Sequence, residues 1–160
     1  MEGLCGSALA DFAPRVSAWS VGQQVDHLAR VGVEVARGLS EVAATGTFPT
    51  HATDATTTVT GMALLRLGWI PRGVAKAPRS VTPDASPGTE EIRGRIAEIR
   101  SILARLRDDI AAVERASARR KHPYFGGLTA ASWVRFLWVH QRHHLKIVRD
   151  IRREAGRGAD

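Results

Sequence analysis

Two histidines, His140 and His144, stand four residues apart in the stretch Trp133–Ile151. With an advance of about 100° per residue and Trp133 at zero, His140 falls at about −20° and His144 at about +20°. That is the middle of an apolar stripe formed with Leu137, Val148 and Ile151, with Phe136 and Ile147 on its other flank. Arg135, Arg142, Lys146, Arg149 and Arg153 take the opposite side. His143 lies about 80° from the stripe centre, toward its edge. An imidazole carries at least one donor and one acceptor into a core, each costing about 1–3 kcal/mol if left unmet. Spacing of i and i+4 sets both rings on one face, one turn apart, as two ligands of a single metal ion require. A hydrogen-bonded pair of core histidines is the competing reading. A divalent ion needs at least one further protein ligand. His27 borders the apolar face of an earlier helix, and His122 sits in a turn beside the start of the histidine-bearing helix. Helical geometry leaves the choice between them open.

The elements that must position these residues read as four long helical stretches and almost no strand. Ser20 and Gln23 have capping-box spacing and start the first, which Gly46 and Pro49 end. On it Val21, Leu28, Val31, Val35, Leu39 and Val42 gather on one side, and Asp26, Arg30, Glu34, Arg37 and Glu41 opposite. A second run covers about Asp54 to Trp69 and stops before Pro71. Pro71–Gly88, broken by four prolines and made basic by Arg72, Lys76 and Arg79, is a loop of the length that is either functional or a connector. The third helix opens on Glu90 and Glu91, favourable at the positive end of its dipole. It carries Ile92, Ile96, Ile99, Leu103, Leu106, Ile110 and Val113 in alternating steps of four and three, and Arg119, Arg120 and Lys121 follow its last turn. Such a repeat keeps a seam facing a neighbour when helices cross at a shallow angle. After a turn at His122–Gly127 the fourth helix runs from Thr129, its N-cap, to about Glu154, with Leu128 and Trp133 spaced as a hydrophobic staple. Glu2–Phe12 reads as a short extra helix. The fold class is all-α, a four-helix bundle.

Composition narrows the function. The 160 residues fit one domain, with a short N-terminal segment over 1–18. No apolar run approaches a membrane span and no secretory pattern opens the chain, so a soluble cytoplasmic protein is expected. One cysteine, Cys5, excludes internal disulfides and cysteine-based zinc knuckles, and nothing near it in sequence would activate the thiol. The net charge of +7 raises nucleic acid as a partner. However, 20 of the 23 basic residues are Arg, spread along a chain without Asn, as GC-rich coding produces. A charged, solvated surface explains that pattern without nucleic acid. Trp69, Trp133 and Trp138 read as packing residues. Trp138 and Val139, on the flanks of the last helix, offer apolar surface for a homodimer.

Two segments resemble a known family. The first is Trp19-Ser20-Val21-Gly22-Gln23-Gln24-Val25-Asp26-His27-Leu28. The second is His122-Pro123-Tyr124-Phe125-Gly126-Gly127-Leu128-Thr129, followed by Trp133 and then His140-Gln141-Arg142-His143-His144. Together they resemble the DinB-like superfamily of helical-bundle metalloproteins, in particular its DUF1569-like bacterial members, from about residue 5 to 152. The resemblance implies a metal held by His27, His140 and His144, with His122 and His143 beside the site or at its rim. Better-understood relatives resemble S-transferases and isomerases that use a low-molecular-weight thiol, and bundles of this kind look dimeric. Three neutral imidazoles leave an open position on a divalent ion, zinc or nickel, where a water or thiol becomes a nucleophile, a geometry that would serve hydrolysis as well. A non-catalytic binding or structural bundle is the alternative, with nucleic-acid binding behind it.

Overall fold

A computed structural model describes residues 6–157. The chain runs through α1 (Gly6–Leu9), α2 (Val21–Thr45), α3 (Val59–Leu67), a 3₁₀ turn at Arg79–Val81, α4 (Thr89–Leu106), α5 (Ile110–Arg115), β1 (Arg119–His122), β2 (Gly126–Thr129) and α6 (Ala130–Arg157). The extra helix expected over Glu2–Phe12 is present over Gly6–Leu9, and Cys5 lies outside the described residues. No helix among the described residues is long and apolar enough to cross a membrane.

The architecture is an all-α bundle centred on α2, which packs against both α4 and α6, while α5 also contacts α2 and α6 and α3 lies on α6. The start of α2 is fixed as its residue types dictate. The Ser20 hydroxyl accepts from the Gln23 amide, the Gln23 side chain accepts from the Ser20 amide, and Gly46 ends the helix at φ 76°. Thr129 begins α6 as expected, its hydroxyl accepting from the Ser132 amide at 3.3 Å. The main core gathers Val31, Val35, Leu39 and Val42 of α2, Ile102 and Leu106 of α4, Val113 of α5, and Trp133, Phe136 and Val139 of α6. A smaller cluster unites Ala13 and Val21 with Ile147, Val148 and Ile151. Along α6, His140 and His144 occupy the band between the two clusters.

Five sequence expectations need correcting. The third helix is not continuous: α4 stops at Leu106 and α5 begins at Ile110, with the Asp109 amide bonded to the Leu106 carbonyl at 3.1 Å. Asp108 and Asp109 are poor helix formers. The break buries Val113 while Leu103 and Ile110 stay about half exposed, so the seven-residue seam is used only in part. Next, Arg119–Lys121 do not trail a helix but form a strand, paired antiparallel with β2 from Arg119 opposite Thr129 to His122 opposite Gly126. The preceding Thr-rich segment adds bridges from Ala52 to Arg120 and from Thr57 to Gly126, so α3 starts later than expected, at Val59. A Cβ on Gly127 would collide with the Ala55 carbonyl, so only glycine admits that backbone. Val139, expected at a surface flank, is fully buried in the main core, whereas Trp138 keeps 44% exposure. Asp26, expected on the solvated face of α2, is also fully buried. Its carboxylate takes ion pairs from Arg30 at 2.8 Å and Arg95 at 2.5 Å and accepts from the Asp84 amide at 3.3 Å. A buried carboxylate survives only with such partners.

Candidate metal centre

The imidazoles of His27, His140 and His144 converge. One nitrogen from each lies within 4.8 Å of the other two. His140 Nε2 sits 3.2 Å from His27 Nε2 and 3.2 Å from His144 Nε2. The rings come from two directions: His27 from the second turn of α2, and His140 and His144 from successive turns of α6. Trp19, just before the α2 cap, lies against His27 with ring centroids 5.1 Å apart and stacks on His144 at 6.5 Å. Phe136 lies 5.0 Å from His140.

The outer nitrogens decide what the inner ones can do. His27 Nδ1 is 2.7 Å from the Val81 carbonyl, which can only accept, so Nδ1 carries the proton and Nε2 is left with a lone pair. His144 Nδ1 is 2.6 Å from Gln24 Oε1, another acceptor, with the same consequence. Both bare Nε2 atoms therefore face His140 Nε2, which holds at most one proton and can satisfy one of them. Among the described residues no other group stands against the remaining lone pair, which a cation could meet. For metal–nitrogen bonds of about 2.0–2.1 Å at tetrahedral angles, nitrogen ligands stand about 3.3 Å apart. The observed spacings of 3.2 Å fit that edge. The His140 Nδ1 atom is buried with no hydrogen-bond partner.

Electrostatics agree. Burial holds the His27 pKa below its ordinary value, against the raising effects of the Val81 hydrogen bond and Asp26. It pushes His140 down to about 3, helped by the charges of His27, His143 and His122, and drives His144 down for the same leading reason. The rings are therefore neutral at physiological pH, the form that binds metals.

His122 does not join them. Its Nδ1 accepts from the Tyr124 amide at 3.1 Å and the Phe125 amide at 3.2 Å, closing the hairpin turn. The ring stacks on Phe125 at 4.5 Å and meets Phe136 edge-on at 4.7 Å. Burial, and next the Arg120 charge, lower its pKa to about 4. His143 stands edge-on to His144 at 5.0 Å, outside the convergent set. Its pKa is lowered by burial first, then by Arg72.

A comparison with protein families matches residues 2–148 to the DinB superfamily. The chain belongs to the DinB superfamily. Neither curated proteins nor solved structures give a match. Membership and the three-histidine cluster together are compatible with a metal-binding enzyme.

Sequence reading missed three parts of this DinB-superfamily site. Gln24 was legible. It shares the apolar face of α2 with Val21, Leu28 and Val31, the same anomaly that marks His140 and His144 on α6. The Val81 carbonyl was not, because a backbone acceptor in an irregular loop leaves no side-chain signature. Trp19 marked a motif, but its packing against two of the three rings follows only from tertiary structure.

Proposed function

We propose that His27, His140 and His144 hold one divalent ion, zinc or nickel, through their Nε2 atoms, in a single-domain metalloenzyme of the DUF1569-like type. The observation that carries this reading is the pair of bare Nε2 atoms aimed at His140 Nε2, an arrangement that one His140 proton can only half satisfy and that a cation complements. An ion with three imidazole ligands keeps an open position and lowers the pKa of a water or thiol bound there. Around it the chain's own residues have defined work. The Val81 carbonyl and Gln24 orient two of the rings and keep their protons on the outer nitrogens. Trp19 packs against His27 and His144 on one side of the cluster. His143 stands at the rim, edge-on to His144.

The reaction we favour is group transfer involving a low-molecular-weight thiol. Such a thiol ionises readily beside a cation, and three neutral ligands leave the ion its full charge. The deciding experiment is metal analysis of untagged protein, purified without added metal, alongside His27→Ala, His140→Ala and His144→Ala. One equivalent in the wild type and loss in each variant is expected. Stoichiometric metal retained by His140→Ala would overturn the assignment. Thiol consumption with electrophilic substrates then tests the reaction class separately.

A further inference from the structure

Gln24 is a neutral, polar side chain on a core-facing position of α2, only 2% exposed. Burying an amide costs free energy unless both of its ends are used, and here both are. Its Nε2 donates to Ser17 Oγ at 2.9 Å, and its Oε1 accepts from His144 Nδ1 at 2.6 Å. Ser17 Oγ is itself held in place, accepting from the Trp19 amide at 3.0 Å. The chain Trp19 amide, Ser17 hydroxyl, Gln24 amide and His144 ring thus runs from the α2 cap to the centre of the bundle.

Resting on the metal-site reading above, we propose that Gln24, oriented by Ser17, is the positioning residue that sets the tautomer of His144. By accepting at Nδ1 it confines the ring proton there and leaves Nε2 free to bind. Without it, His144 gains by moving the proton to Nε2 and donating to His140 Nε2, 3.2 Å away, which removes one ligand atom. Gln24 is also the neutral choice. The nearby buried carboxylate, Asp26, is occupied by Arg30, Arg95 and the Asp84 amide, and His27 is served by a backbone carbonyl. A carboxylate in place of Gln24 would raise the basicity of His144 and hold the ion more tightly.

Two measurements test this. In metal-free protein, long-range ¹⁵N–¹H correlation spectra should show His144 with Nδ1 protonated and Nε2 bare, and Gln24→Leu should shift it toward the Nε2-protonated form. In zinc competition against a chelator, Gln24→Leu should weaken binding about 10–100-fold and Ser17→Ala less, in the same direction, while Gln24→Glu strengthens it. An Nε2-protonated His144 in the wild type overturns the proposal, since the amide would then face the other way round. So does a folded Gln24→Leu with unchanged zinc affinity. If Gln24→Leu fails to fold, Gln24→Glu carries the test, and unchanged or weaker zinc binding in that variant counts against the proposal. A wild type with the expected tautomer that binds neither zinc nor nickel sinks the metal reading and leaves the role of Gln24 standing.

Discussion

Helices α4 and α6 both pack on α2, yet they give it different things. From α4 the core receives Ile92, Ile102 and Leu106, all apolar, and the arginines and glutamates of that helix stay at or near the surface. From α6 it receives Trp133, Phe136, Val139, Ile147, Val148 and Ile151, interrupted by His140 and His144. The α2 side answers in kind: Val31, Val35 and Leu39 belong to the main core, while Gln24 and His27 reach the histidines. One partner helix supplies stability alone. The other gives up part of its apolar stripe to polar groups that would be a liability if function did not need them.

That contrast can be broken at several points. The largest effect is expected at the α2–α6 seam, where His140→Ala should abolish stoichiometric metal while the fold persists, read by metal analysis beside circular dichroism. Asp26→Ala comes next. It leaves Arg30 with Asp84 and Arg95 with only a long contact to Glu91, and should cost about 3 kcal/mol in urea unfolding, since removing one partner of a buried pair is strongly destabilising. On the α4 side, Ile102→Ala should cost about 2–5 kcal/mol by opening a cavity, yet retain one equivalent of metal. If it loses metal while folded, the division of labour between the two helices is wrong.

Acid should act on the histidine side alone. The pKa values of His122 and His140 are lowered from 6.5 to about 4 and about 3, so below pH 6.5 the unfolded chain binds more protons than the folded one. Stability of the metal-free protein is therefore complete above pH 6.5. It should fall as pH drops toward 4, by at most about 1.4 kcal/mol per pH unit for each such histidine. Urea midpoints at pH 7.5, 6 and 5 measure this. The smallest effect belongs to the surface: Arg72 pairs with Asp150 at 2.6 Å, but both are partly exposed, and Arg72→Ala should change stability by less than about 1 kcal/mol.

What was legible in the sequence follows the same division. The first and last long helices, their caps at Ser20 and Thr129, and the placing of His140 and His144 on one face all follow from local periodicity and capping chemistry, and the structure keeps them. Periodicity misled over Ile92–Val113, because a repeat cannot report the two aspartates that let the chain bend at Arg107–Asp109. The hairpin at Arg119–Thr129 escaped because β1, Arg-Arg-Lys-His, has neither alternation nor β-branched residues. Its pairing rests instead on Gly126 and Gly127 and on bridges from a threonine-rich loop. Asp26 read as solvated because an i,i+4 pair with Arg30 is equally at home on a wet face, and its second partner, Arg95, comes from α4.

The hydrogen bonds that define the histidine cluster join residues 54, 113 and 120 positions apart. A nascent or unfolded chain offers an ion only the adjacent pair on one nascent helix, a weak bidentate hold. If the three histidines hold an ion as proposed, full affinity would arrive only after the last helix has docked, so loading would be a late event that rewards completed folding instead of templating it. Ion occupancy should then raise the melting temperature with free-ion concentration by mass action, and the refolding rate should be indifferent to it.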